Sequence, residues 1–166
     1  MKKLLPILCC LFCEVLYAQD LKEASSDKSA VIEGRLRGEK PAIEIKLANG
    51  TAISVWITGG KNPEGQASDK IAKAQADSKT MLANEGIKTV KVDFVYDDGK
   101  LARAVYQETT IVQHPTPSVA SNKKEFVFTD GLITSPAAGT HPEMETVVNT
   151  CVSQIQKAFE NHVRTR

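Results

Sequence analysis

Three histidines, a single cysteine beyond the N-terminal segment and two adjacent aspartates are the side chains of this chain best suited to chemistry. A thiol becomes a nucleophile when a histidine stands within hydrogen-bond reach. Cys151, however, falls on the apolar face of a predicted helix with Met144, Val147, Val148, Ile155, Ala158 and Phe159. That position suits a small core residue, since free cysteine is among the most buried residue types. His162 shares nearly the same face but lies a further eleven residues along. At 1.5 Å per residue that is about 16 Å, beyond contact.

A metal site would need ligands at helical spacing or in a Cys- or His-rich cluster. His114, His141 and His162 offer neither, so no metal and no cofactor is expected. Asp97-Asp98-Gly99 is first a turn sequence, and the alternating oxygen ligands of a calcium loop are missing. Gly59-Gly60-Lys61 begins like a phosphate-binding loop, but Asn62-Pro63 follows where Ser or Thr is required. No Gly-x-Ser-x-Gly elbow occurs. The spacing therefore points away from catalysis, and a binding surface is the better expectation. Its candidate residues are Lys61 and Asn62 in the loop 59–67, His114 in the connector 114–122, His141 at a helix start, and the aromatic pair Trp56 and Tyr106.

The elements that must position these groups are legible as alternation and turns. Ala30–Arg37 reads as a first strand, ended by Gly38-Glu39-Lys40-Pro41. Ile43, Ile45 and Leu47 alternate with Glu44 and Lys46, and Ile53, Val55 and Ile57 alternate beyond Asn49-Gly50. A two-residue turn would set Ile53 and Val55 opposite Lys46 and Glu44. A three-residue loop, Ala48-Asn49-Gly50, instead aligns Ile45 with Ile53 and Ile43 with Val55. The buried face selects the second register, with Gly50 in the left-handed conformation. Trp56 then falls on the other face.

Ser68–Glu85 reads as a helix, with Ser68 as N-cap and Ile71, Ala74, Ser78, Met81 and Leu82 as a narrow apolar stripe ended by Gly86. Val90, Val92, Phe94 and Tyr96 form the best strand, turned by Asp97-Asp98-Gly99 into Leu101–Val112. Parity leaves two faces of that return strand in competition. One carries Ala102, Ala104 and Tyr106, the other Leu101, Arg103 and Val105. A polar connector, His114–Asn122, precedes a short hairpin, Glu125–Phe128 and Leu132–Thr134, around Thr129-Asp130-Gly131. Thr140 and Glu143 fit a capping box at the start of the last helix.

Residues 1–18 read as a secretory signal peptide: Met1-Lys2-Lys3, the apolar run Leu4–Phe12, and Leu16-Tyr17-Ala18 as the cleavage point. Cys9, Cys10 and Cys13 each follow a large residue or another cysteine, which disfavours lipidation. Cleavage removes Lys2, Lys3 and Glu14 and leaves a formally neutral chain, with no bulk attraction to nucleic acid or to anionic membrane. It also leaves Cys151 alone, so no intramolecular disulfide can form and core packing carries stability unaided.

The expected organisation is a flexible lead-in over 19–29 and a single α+β domain over 30–166. Its architecture is a mainly antiparallel sheet built from β-hairpins, with two helices packed on one face and one parallel strand pair possible at the crossover. The expected function is a non-enzymatic, exported binding or accessory module, periplasmic or secreted, of bacterial type, whose partner is a protein or envelope component. Two alternatives carry specific residues. One is a small secreted hydrolase using His114, His141 and a carboxylate. The other is a small-ligand carrier with a pocket between helix and sheet near Trp56 and Tyr106.

Overall fold

The computed structural model describes residues 40–59, 68–83 and 85–165. The signal peptide expected at 1–18, the lead-in expected at 19–29, the strand expected at 30–37, and the loop residues Lys61 and Asn62 lie outside the described residues. The elements are β1 (Ile43–Lys46), β2 (Ala52–Thr58), β3 (Lys70–Met81), β4 (Ile87–Asp97), β5 (Lys100–Val112), β6 (Ser118–Thr129), β7 (Leu132–Ser135) and α1 (Pro142–Arg164). The seven strands form one sheet in sequence order, and every neighbouring pair is antiparallel.

The expected antiparallel sheet is present, but the described residues contain one helix rather than two, and no parallel pair. The segment expected as the first helix is β3. Its Lys, Ala and Gln residues favour helix intrinsically, yet Ala74 and Ala76 point into the core while Lys73, Gln75 and Asp77 point away, a period of two. The helix-like step from Ile71 to Ala74 has a local cause. Ile57 pairs with Ile71 but Trp56 pairs with Lys73, so Ala72 is an extra residue that shifts the phase. Hydrogen bonding to β2 and β4 on both sides then outweighs propensity.

The first hairpin has the expected register. Ile43 faces Val55, Ile45 faces Ile53, and Gly50 at φ 82° closes the three-residue loop. In the β4–β5 hairpin the competition of faces is settled by another bulge. Tyr96 pairs with Leu101 and Val95 with Arg103, so Ala102 is the extra residue. Ala104 and Tyr106 therefore share the buried face with Phe94 and Val92. Asp98 and Gly99, at φ 47° and 80°, form the two-residue turn, and Asp130 with Gly131, at 51° and 80°, repeats it between β6 and β7. The connector expected over 114–122 is shorter than the sequence suggested, because Ser118–Asn122 already belongs to β6.

Helix α1 packs against β1, β2, β3 and β5. Val148, Cys151, Val152 and Ile155 join Ile53, Val55, Phe94, Tyr106 and Phe126 in one core, with Met144 and Phe159 at its margin. Each such buried aliphatic side chain contributes about 1.5–3 kcal/mol. Val147, expected on the buried face, remains 37% exposed. The helix start also differs from expectation. His141 is the N-cap without a side-chain bond, and Glu145 rather than Glu143 reaches back, accepting from the His141 and Gly139 amides at 2.9 and 2.8 Å. Pro142 takes the first helical position, where no N–H has to be satisfied, so the helix begins one residue later than expected, and the accepting carboxylate lies two residues beyond Glu143. No helix among the described residues is long and apolar enough to cross a membrane.

Candidate functional site

The sheet has two unequal halves. Around Val55, Ala74, Phe94, Ala104 and Phe126 one face is covered by α1. Strands β3 to β6 then run on past that cover. Their far portions carry Ser78, Val90, Glu108 and Asn122 in one cross-strand row on the inner face, followed by Thr80, Lys88, Thr110 and Ala120.

On the outer face of this far half, Met81, Ile87, Ile111 and Val119 stand side by side across four strands. Met81 is 67% and Val119 71% exposed. A contiguous apolar row at a surface marks a contact site. Between this row and the centre of the sheet lies a shallow groove of about 500 Å³, lined on the outer face by Asp77, Lys79, Thr89, Lys91, Gln107 and Thr109. Thus the outer face passes from apolar at its far end to polar and charged at its middle.

The inner face of the far half is pinned by a three-residue network. Tyr106 Oη donates to Glu108 Oε2 at 2.7 Å, and Lys88 Nζ lies 2.8 Å from the same oxygen. The Lys88 hydrogen bond holds the Glu108 carboxyl below its ordinary range, and the Tyr106 contact adds to this. Burial pushes the Tyr106 phenol up, reinforced by the Glu108 charge. Tyr106 is therefore a neutral donor to a charged acceptor, an arrangement that fixes strands rather than one that activates a nucleophile.

The candidate residues read from the sequence are dispersed. Trp56 lies on the outer face of β2 with the Lys73 ammonium 4.6 Å from its ring centre. Tyr106 lies on the inner face, 3% exposed. The two aromatics thus flank opposite sides of the sheet and do not frame one pocket. His114 sits in the β5–β6 loop, 3.6 Å from Glu85 in the β3–β4 turn. His141 is at the start of α1 and contributes its backbone amide to Glu145. Cys151 is 2% exposed, and burial pushes its thiol up to about 11. At neutral pH it is a protonated core group. Among the described residues no three His, Cys, Asp or Glu side chains gather closely enough to hold a metal ion.

No protein-family model, curated protein or solved structure matches this chain.

The apolar row is not legible in the sequence. Met81 falls on the stripe of the expected helix and Val119 in the expected connector, so neither reads as a strand residue. Ile87 and Ile111 alone gave no sign that four strands would align them.

Proposed function

We propose that this protein is an exported, non-enzymatic binding or accessory module that engages a protein or envelope component through the uncovered half of its sheet. The observation that carries this reading is the apolar row Met81, Ile87, Ile111 and Val119, with Met81, Ile111 and Val119 exposed and Ile87 half-buried, beyond the reach of α1. An apolar row of this kind gains by being covered, at about 25 cal/mol per Å² removed from water. The basic start and apolar run of residues 1–18 support export, which would place the surface outside the cytoplasm.

The test is cross-linking of the protein in its own host, followed by mass spectrometry, for the wild type and for Met81→Lys combined with Val119→Lys. Both side chains are exposed, so the variant should keep its melting temperature. It should lose most of the cross-linked partner seen with the wild type. Cross-links of unchanged yield in a folded variant would rule out this surface as the contact.

A further inference from the structure

The open edge of β6 extends the same reading to the kind of partner. One side of β6 bonds to β5 through ten consecutive residue pairs, from Val112–Ser118 to Arg103–Val127. On its other side β7 meets it only at Val127, Phe128 and Thr129. Residues 118–126 therefore present an edge without a strand partner among the described residues. This is the longest such edge of the sheet. At the opposite side β1 has four residues, and the part of β3 beyond β2 is Ser78–Met81. An unpaired row of amides and carbonyls is a template for an added strand.

Charge narrows what that strand is. Lys123 and Lys124 are consecutive, so one points to the outer face and the other to the inner face. Neither makes an ion pair among the described residues. Glu125 is turned to Arg103 at 3.9 Å, and Glu108 is already held by Lys88. The open edge is thus basic on both faces, and at its other end Val119 closes the exposed apolar row.

Resting on the binding-module reading, we propose that the β6 edge receives an extended segment of a partner protein as an antiparallel strand. The segment carries two consecutive carboxylate residues opposite Lys124 and Lys123, and an apolar residue four positions after the second, beside Val119. Antiparallel pairing continues the pattern of the whole sheet and is the more stable per residue. A second copy of this chain fits poorly. Setting Glu125 opposite Lys123 of the copy brings the two Lys124 side chains face to face and overlaps only residues 122–126. The longest overlap leaves all four lysines opposite small neutral residues.

The test uses the full-length, isotope-labelled protein and a synthetic, threonine-rich decapeptide with adjacent glutamates and a valine four residues after the second. Amide exchange over 118–126 is followed by NMR during titration. Exchange there should slow with saturation, and Lys123→Glu with Lys124→Glu should weaken binding roughly tenfold or more and transfer the preference to a Lys-Lys peptide. Unchanged exchange at millimolar peptide, or equal binding of the Glu-Glu and Lys-Lys peptides to the wild type, overturns the proposal. So does a wild-type dimer whose 118–126 amides are protected without peptide. A host partner whose cross-linking survives the double lysine variant but not the Met81 and Val119 variant would sink the edge assignment while leaving the module reading intact.

Discussion

Cys151 illustrates how much a single position can decide. Its thiol has the chemistry of a nucleophile, but burial raises its pKa from 9.0 to about 11. The folded chain therefore holds the proton more tightly than the unfolded chain. The stability this contributes is complete below pH 9 and is lost as pH rises towards 11. Alkylation should accordingly follow unfolding: a thiol reagent at pH 8 should label the native protein orders of magnitude more slowly than the denatured chain. Rapid labelling of the native state would restore the nucleophile. Tyrosine offers a second contrast. Tyr106→Phe removes a hydrogen bond to a charged acceptor and should cost roughly 1.5 kcal/mol in chemical denaturation. Tyr96 Oη is buried without a hydrogen-bond partner among the described residues, so Tyr96→Phe removes an uncompensated buried hydroxyl and should raise stability by about 1 kcal/mol.

Among the elements, α1 and β3 carry the more informative tests. Glu145 accepts two backbone amides ahead of the helix, chiefly that of Gly139 and then that of His141, and these hold its pKa down. Its contribution is present above the ordinary carboxylate pKa and vanishes as pH falls through the lowered folded value. Glu145→Gln should therefore lower the melting temperature at pH 7 and converge with the wild type in acid. A constant gap down to low pH would mean that the lost interaction is not the charged cap. Strand β3 is constrained by size. Ala76 is 2% exposed beneath the core, and Ala76→Leu should destabilise by about 1–3 kcal/mol through overpacking. On the helix expected from the sequence, Ala76 lies off the apolar stripe and the same change would be mild. At the β3–β4 turn the left-handed residue is Glu85, at φ 56°, not Gly86. Gly86 serves close approach instead: a Cβ there would lie 3.1 Å from the Ile111 carbonyl oxygen and 3.2 Å from Leu82 Cβ.

At the scale of the whole molecule, the two halves of the sheet differ in what protects them. The half under α1 has a packed face, whereas the far half relies on strand pairing, the Lys88–Glu108–Tyr106 network and surface contacts. Local opening needs less energy where few apolar contacts must break. Backbone amides of 78–81 and 118–122 should therefore exchange much faster than those of 92–94 and 104–106 in native-state hydrogen exchange. Uniform protection across both halves would imply that the far half is already covered in the isolated protein. The contrast also gives the binding reading its physical basis, since a partner strand or surface would supply the contacts the far half lacks.

The sequence by itself determined those features whose causes are local. Asn49-Gly50 and the alternating Ile43, Ile45, Ile53 and Val55 specify the first hairpin down to its register, because a slip would bury charge. Asp98-Gly99 and Asp130-Gly131 specify two turns, because each needs two residues that tolerate positive φ. The apolar spacing from Met144 to Phe159 specifies the last helix and the burial of Cys151. Tertiary structure decided the rest. Lys70–Met81 is a strand because β2 and β4 offer hydrogen bonds along both sides, and a bulge at Ala72 disguises its period. The partition of Tyr106 and Trp56 to opposite faces depends on bulges and pairings that no single segment encodes. The exposed row from Met81 to Val119, and the open edge beside it, exist only once four strands separated in the chain lie in register.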